Sequence, residues 1–249
     1  MTNVSAGFFE SDFRAGRVFS RTWSVLSRNL LPFCLVTAIA SLPNVLIVGT
    51  QIAGDPSRVG ADYAGWMFLG FLAAMVLSAL SEAVVLYGAF EDMRGRPVNL
   101  LESVRIGLRR FFPVLGVAVL VPLLAGLAGI LLVFPAFIVM SMLFVAMPAC
   151  VVEKLGPLKS MGRSAQLTKG HRWKIFGLWL ATIVGGAIVQ SALEGLSNYV
   201  GGVPLMLIVL LAWGALIGAF YAILVVVTYH DLRVAKEGVD TSQIAAVFD

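Results

Sequence analysis

The sequence predicts an all-α polytopic membrane protein: six transmembrane helices in three hairpins, with amphipathic helices at the cytoplasmic interface. Three observations carry that prediction. The 249 residues are 59% hydrophobic and 13% charged, with a mean hydropathy of +0.92, where soluble domains stay near 45–50% apolar and about 25% charged. A single buried core of that composition would leave too little polar surface to cover it. Apolar runs recur at the spanning length of about 20 residues. Finally, 17 of the 18 Lys and Arg fall in the polar segments on one side of those runs, and only Arg58 falls in the three opposite loops. The positive-inside bias then places both termini in the cytoplasm. It also accounts for the pI near 9.3, so no nucleic-acid partner is needed.

Residues 1–29 are interrupted by charge, and no signal peptide is expected there. Within them DFRAGRVFSRTWSVLSRN reads as an amphipathic helix. Arg14, Arg17, Arg21 and Arg28 form one stripe at 100° per residue, with Phe19, Trp23 and Leu26 opposite. Such a helix suits the membrane interface, with arginines toward anionic lipid phosphates; the alternative is a helix packed on the protein's own spans. Span 1 covers about 30–52, with Pro32 in its first turn and a kink expected at Pro43. Span 2 covers about 63–90 after the turn-rich loop AGDPSRVGAD.

Residues 91–113 form a second polar interlude. Asn99 followed by Glu102 has the spacing of a capping box. Glu102, Arg105 and Arg109 share one face, and Leu101, Val104, Leu108 and Phe111 lie largely opposite, so a second interfacial or docked helix is expected. The apolar stretch 111–152 is too long for one span and divides at Phe134-Pro135 into spans of about 112–133 and 136–152. A third basic helix follows, started by Gly156-Pro157 and stopped by Gly170. Lys159, Arg163 and Gln166 face one way there, and Leu158, Met161 and Ala165 another. Spans 5 and 6 cover about 173–193 and 204–229, joined by the connector EGLSNYVGGV, and residues 230–249 form a cytoplasmic tail. Pro32, Pro113 and Lys174 each stand where a basic helix meets an apolar hairpin. Either three architectural repeats surround a pseudo-threefold axis, or inside loops simply collect basic residues.

One ionisable residue stands well inside a span. Glu82 lies about eight residues from the cytoplasmic end of span 2, roughly 12 Å deep at 1.5 Å per residue. Intramembrane acids are expensive, so Glu82 either lines an ion or substrate path or is held by a structural hydrogen bond or salt bridge. His171 and His230 have no metal-ligand spacing, and no nucleophile elbow, phosphate loop, H-E-x-x-H or C-x-x-C occurs. No catalytic residue, metal or cofactor is expected. Cys34 and Cys150 fall near span ends and read as packing residues rather than a disulfide. Gly214…Gly218 and Gly70…Ala74 permit close helix approach.

The segment PACVVEKLGPLKSMGRSAQLTKGHRWKIFGLWL, with YHDLRVAKEGVD after the last span, resembles the six-span membrane domain fused to some bacterial glycerophosphoryl diester phosphodiesterases, and the related inner-membrane proteins of the YciC type. The resemblance rests on Pro148, Val152-Glu153, Leu158, Arg163-Ser164, Leu167, Lys169-Gly170, Trp173, Asp231-Leu232-Arg233 and Glu237-Gly238. It implies the six-span fold and a bacterial inner-membrane address, without the soluble phosphodiesterase domain. Topology does not require that arrangement, and a structural ion-pair network among Glu153, Arg163, Lys169, Asp231 and Arg233 is expected. The function expected is non-enzymatic organisation of lipid, of another membrane protein or of a second copy of the chain. Arg14, Arg17, Arg21, Arg28, Arg105, Arg109 and Lys159 are the candidate headgroup contacts. The alternative is a transporter or channel subunit with Glu82 lining the path.

Overall fold

The computed structural model describes residues 14–53, 61–131 and 133–238. Arg58, its loop and most of the tail lie outside the described residues. Among those described, every regular element is helical: α1 (Ala15–Arg28), α2 (Leu30–Ala53), α3 (Ala61–Met93), α4 (Leu100–Arg109), α5 (Phe111–Leu131), α6 (Val133–Leu143), α7 (Ala146–Val152), α8 (Pro157–Thr168) and α9 (Arg172–Glu237). Five stretches are long and apolar enough to cross a membrane: Leu30–Ile52, Tyr63–Met93, Phe111–Ile130, Pro135–Val152 and Arg172–Glu237. Length and composition mark a multi-pass membrane protein. The first four agree with the expected spans to within three residues at each end.

The last stretch differs. The expected connector 194–203 is helical except at Gly202, so α9 runs for 66 residues. No proline precedes Pro204 in this segment, and Gln190 Nε2 donates to Glu194 Oε1 at 2.8 Å across one turn, which carries the helix past its apolar part. Gly202 then interrupts it at φ 64° and ψ −161°, a backbone region confined in practice to glycine. Pro204 falls in the first turn of the resumed helix, where its missing N–H costs little. The chain returns on itself there. A Cβ built on Gly186 would lie 3.4 Å from Ile217 Cδ1, and Lys236 Nζ donates to Gln166 O at 2.8 Å. A straight helix would hold residues 186 and 217 roughly 46 Å apart.

The returning arm of α9 is the centre of the molecule. Residues 222–230 are buried without a gap, and α9 touches α1, α2, α3, α6, α7 and α8. Gly214 and Gly218 let α2 approach: added Cβ atoms would stand 3.7 Å from Ser41 Oγ and Thr37 Cβ. Thr37 Oγ1 exploits that closeness and donates to Ala215 O at 2.7 Å. Gly70 serves α3 in the same way, with Ile47 Cδ1 3.0 Å from its would-be Cβ.

The two N-terminal amphipathic helices part company. α1 buries Val18, Thr22, Val25 and Leu26, mainly against α9, and Phe19 stacks on Phe220 at 5.3 Å between ring centroids. It is therefore docked on the protein's own helices through part of its apolar face, while Trp23 stays exposed. α4 buries only Ser103 and Gly107, and it leaves Leu101, Val104 and Leu108 exposed. Its small residues fit against α3, where a Cβ on Gly107 would meet Val84 Cγ2 at 3.2 Å. The apolar face of α4, continued by the exposed Phe112, has no protein cover among the described residues.

The fold-back at Gly202 yields a direct expectation. Gly202→Ala places a side chain on a glycine-only backbone and costs about 1–3 kcal/mol. Gly195→Ala, whose Cβ would meet nothing within 4 Å, costs little by comparison. Thermal unfolding of the two variants in the same detergent checks this; equal midpoints would refute the strained turn.

Candidate functional site

The polar ends of the helices gather at one end of the bundle, and ion pairs tie them together. Arg163 of α8 donates through Nε to both oxygens of Glu153, at 2.9 and 3.0 Å, and through its terminal nitrogen to Glu237 at the end of α9. Tyr229 OH donates to Glu153 at 2.7 Å. Arg233 reaches Glu237 at 3.1 Å and lies over the Tyr229 ring. Burial works against the Arg163 cation, but the hydrogen bonds it donates to Glu153 and Glu237 outweigh it, and its pKa stays above the ordinary arginine value.

The structure thus brings Glu153, Arg163 and Arg233 together through Tyr229 and Glu237. It leaves out Asp231 and Lys169. Asp231 turns instead to Arg21 of α1 at 2.7 Å, and Lys169 is exposed outside the network. Arg28 is likewise engaged, with Asp92 at 2.7 Å, and Asn29 donates to the same carboxylate. Two of the residues expected at lipid headgroups therefore staple α1 to the ends of α3 and α9. Arg14, Arg17, Arg105, Arg109 and Lys159 are exposed.

Beneath the ion pairs lies a polar contact of a different kind. The expected fourth span breaks at Phe144-Val145, between α6 and α7, which frees backbone groups in a fully buried place. Ser164 closes the gap. Its Oγ donates to Met142 O at 2.8 Å and accepts from Val145 N–H at 3.2 Å. Thr168 Oγ1 stands 3.2 Å from the same carbonyl. Ser160, Ser164 and Thr168 follow each other at i, i+4, i+8 on α8 and are all completely buried. Local geometry delivers them: Gly156 starts the helix, Pro157 occupies its first position, and Gly170 ends the following turn at φ 91°.

Two cavities flank this core. One, of about 360 Å³, opens beside the start of α9 and is lined by Phe137, Ile138, Ser141, Arg172, Trp173 and Phe176. The cavity surface is almost wholly apolar; Arg172 Nε is buried at its edge without a hydrogen-bond partner, and no side-chain hydrogen bond caps the first turn of α9. Phe137 and Phe176 pack with centroids 4.9 Å apart, and Trp173 meets Phe176 edge-on at 6.1 Å. The other cavity, of about 280 Å³, lies between α3, α5, α6, α7 and α9 and contains Glu82. Among the described residues no hydrogen bond or ion pair reaches the Glu82 carboxyl, and the structural salt bridge considered from the sequence is not found. Neighbouring Ser81 Oγ is itself buried without a partner.

A family model matches residues 100–232, a domain of unknown function, DUF7847. The chain belongs to this family. No curated protein and no solved structure matches it. The match shows no relationship to the phosphodiesterase membrane domain or to YciC-type proteins. The DUF7847 segment begins with α4 and ends within the buried arm of α9. It therefore contains the helix break, the hydroxyl seam, Glu153, Arg163 and the Arg172 cleft, whereas Glu82 lies before it.

Sequence reasoning missed Ser160, Ser164 and Thr168 as a buried face, and Arg172 as a cleft residue. The i, i+4, i+8 spacing of hydroxyls was a usable signal for the first. Nothing in the sequence separates Arg172 from its basic neighbours. Ser164→Ala strands the Val145 N–H and is expected to cost about 1–3 kcal/mol. Arg163→Lys loses the planar fork that serves both carboxylates and is expected to cost about 1–2 kcal/mol. Thermal unfolding followed by tryptophan fluorescence measures both; a Ser164→Ala midpoint equal to wild type would refute the seam's role.

Proposed function

We propose that this is a non-enzymatic integral membrane protein that binds and organises anionic lipid, and through it neighbouring proteins or a second copy of itself. The Arg172 cleft carries that reading. A guanidinium with a buried, unpartnered nitrogen sits at an uncapped helix start, where backbone N–H groups and the helix dipole favour an anion. Next to it Phe137, Phe176 and Trp173 offer an apolar wall of the kind an acyl chain covers. A phosphate joined to a hydrocarbon chain matches both halves. The exposed apolar face of α4 and the exposed Leu158 and Trp173 add surface suited to the headgroup boundary.

The membrane arrangement that goes with this reading has six crossings, since the return at Gly202 supports two in α9. The positive-inside bias supports a cytoplasmic position for the end carrying α1, α4 and α8. A bacterial inner membrane is the address that the resemblance noted from the sequence implies.

Arg172→Gln is expected to lower the phosphatidylglycerol retained by the purified protein about fivefold, the equivalent of roughly 1 kcal/mol for one basic residue. The double variant Arg14→Gln/Arg17→Gln should change it less, because those residues lie outside the cleft. Native mass spectrometry of protein exchanged into mixed phosphatidylglycerol and phosphatidylcholine reads both. Equal retention in wild type and Arg172→Gln would overturn the proposal.

A further inference from the structure

The Glu82 cavity does not serve the lipid reading. Glu82 shares the cavity lining with Met75, Ser78, Met140, Met147, Phe144 and Tyr221, and the lining contains no lysine, arginine or histidine. A carboxyl in such surroundings ionises only at a desolvation cost, which the neutral acid avoids and which a cation or direct hydrogen bonds offset. The protein supplies neither among the described residues. Other carboxylates packed in the bundle are matched: Glu153 by Arg163 and Tyr229, and Asp92 by Arg28 and Asn29. The unmatched carboxyl is also the one with a cavity in front of it.

We infer that this cavity binds a compact organic monocation, an amine or quaternary ammonium carrying an apolar group, with Glu82 as its counter-charge. The remaining wall fits that class. Phe144 and Tyr221, with ring centroids 6.1 Å apart and nearly perpendicular, present aromatic surface that attracts a cation. The three methionines are unbranched, polarisable and adaptable, and they cover the apolar body. A volume of about 280 Å³ is at the small end for an organic ligand. A metal ion fits poorly, because hard divalent cations need several oxygen ligands and no group of three His, Cys, Asp or Glu occurs among the described residues. An anion finds no positive group in the wall.

Benzyltrimethylammonium and its uncharged carbon isostere, neopentylbenzene, make the test. Binding to the full chain in nanodiscs of phosphatidylglycerol is measured by equilibrium dialysis. The wild type should hold the cation on the order of tenfold or more tightly than Glu82→Gln does, and the neutral isostere should not distinguish the two proteins. Glu82→Asp should recover part of the difference. If the Glu82→Gln protein does not fold, the wild type alone still decides, since failure to prefer the cation over its isostere overturns the inference. Equal cation binding by both proteins overturns it as well. Repeating the measurement with phosphatidylethanolamine in the discs assigns the source: competition points to a lipid ammonium headgroup, and its absence to a free amine. The Arg172 cleft is intact in every arm, so the lipid proposal stands or falls separately.

Discussion

A backbone N–H or C=O in a membrane interior has no water to turn to, so it must find its partner inside the protein. That constraint is sharpest where α6 gives way to α7. The break frees Met142 O and Val145 N–H in a fully buried position, and Ser164 answers both with one hydroxyl. Because Ser164 belongs to α8, satisfying the break also determines where α8 lies. Once α8 is docked, Arg163, the next residue back, is directed toward Glu153 and Glu237, and the return arm of α9 is fastened to it. The ion pairs are partly exposed, and pairs of that kind contribute at most about 1 kcal/mol each. A stranded buried backbone group costs about 1–3 kcal/mol. The hydroxyl seam is therefore the stronger constraint, and the charges refine what it has positioned.

Much of this was legible in the sequence because it depends on local chemistry. Asn99 does accept from Glu102 N–H, at 3.2 Å, and Gly156-Pro157 and Gly170 do bound α8. Glu153 and Arg163 do meet. The four shorter apolar stretches follow from hydrophobicity alone. What escaped depends on the third dimension. Polarity marked 194–203 as a connector, but a helix can continue beyond its apolar part when neighbours such as Gln190 and Glu194 pair, and only Gly202 stops it. The partners of Arg21 and Arg28 are distant in sequence, at Asp231 and Asp92, and no spacing rule connects them.

The contrast between α1 and α4 has the same root. Both have basic residues on one side and apolar residues on the other, and a hydrophobic stripe says only that something must cover it. In α1 that cover is α9. In α4 the stripe stays open while Ser103 and Gly107 face the protein, since small residues allow the closest approach to α3. Amphipathic periodicity alone cannot rank these outcomes. Nor can the position of small residues, since Gly16, Ser20, Ser24 and Ser27 form a stripe on α1 that stays exposed.

The helix break also explains why a cavity exists beside Glu82. A continuous helix through residues 136–152 would keep its side chains in one regular array along α3 and α5. The interruption at Phe144-Val145 lets α6 and α7 pack independently, and Phe144 and Met147, on its two sides, both face the space that Glu82 occupies. One irregularity thus has two faces. Toward α8 its polar groups are fully satisfied by Ser164 and Thr168, as a structural element requires. Toward α3 it leaves an apolar and aromatic hollow in front of an unpaired carboxyl. On the inference that this hollow takes an organic cation, the same break supplies both a structural seam and a binding surface.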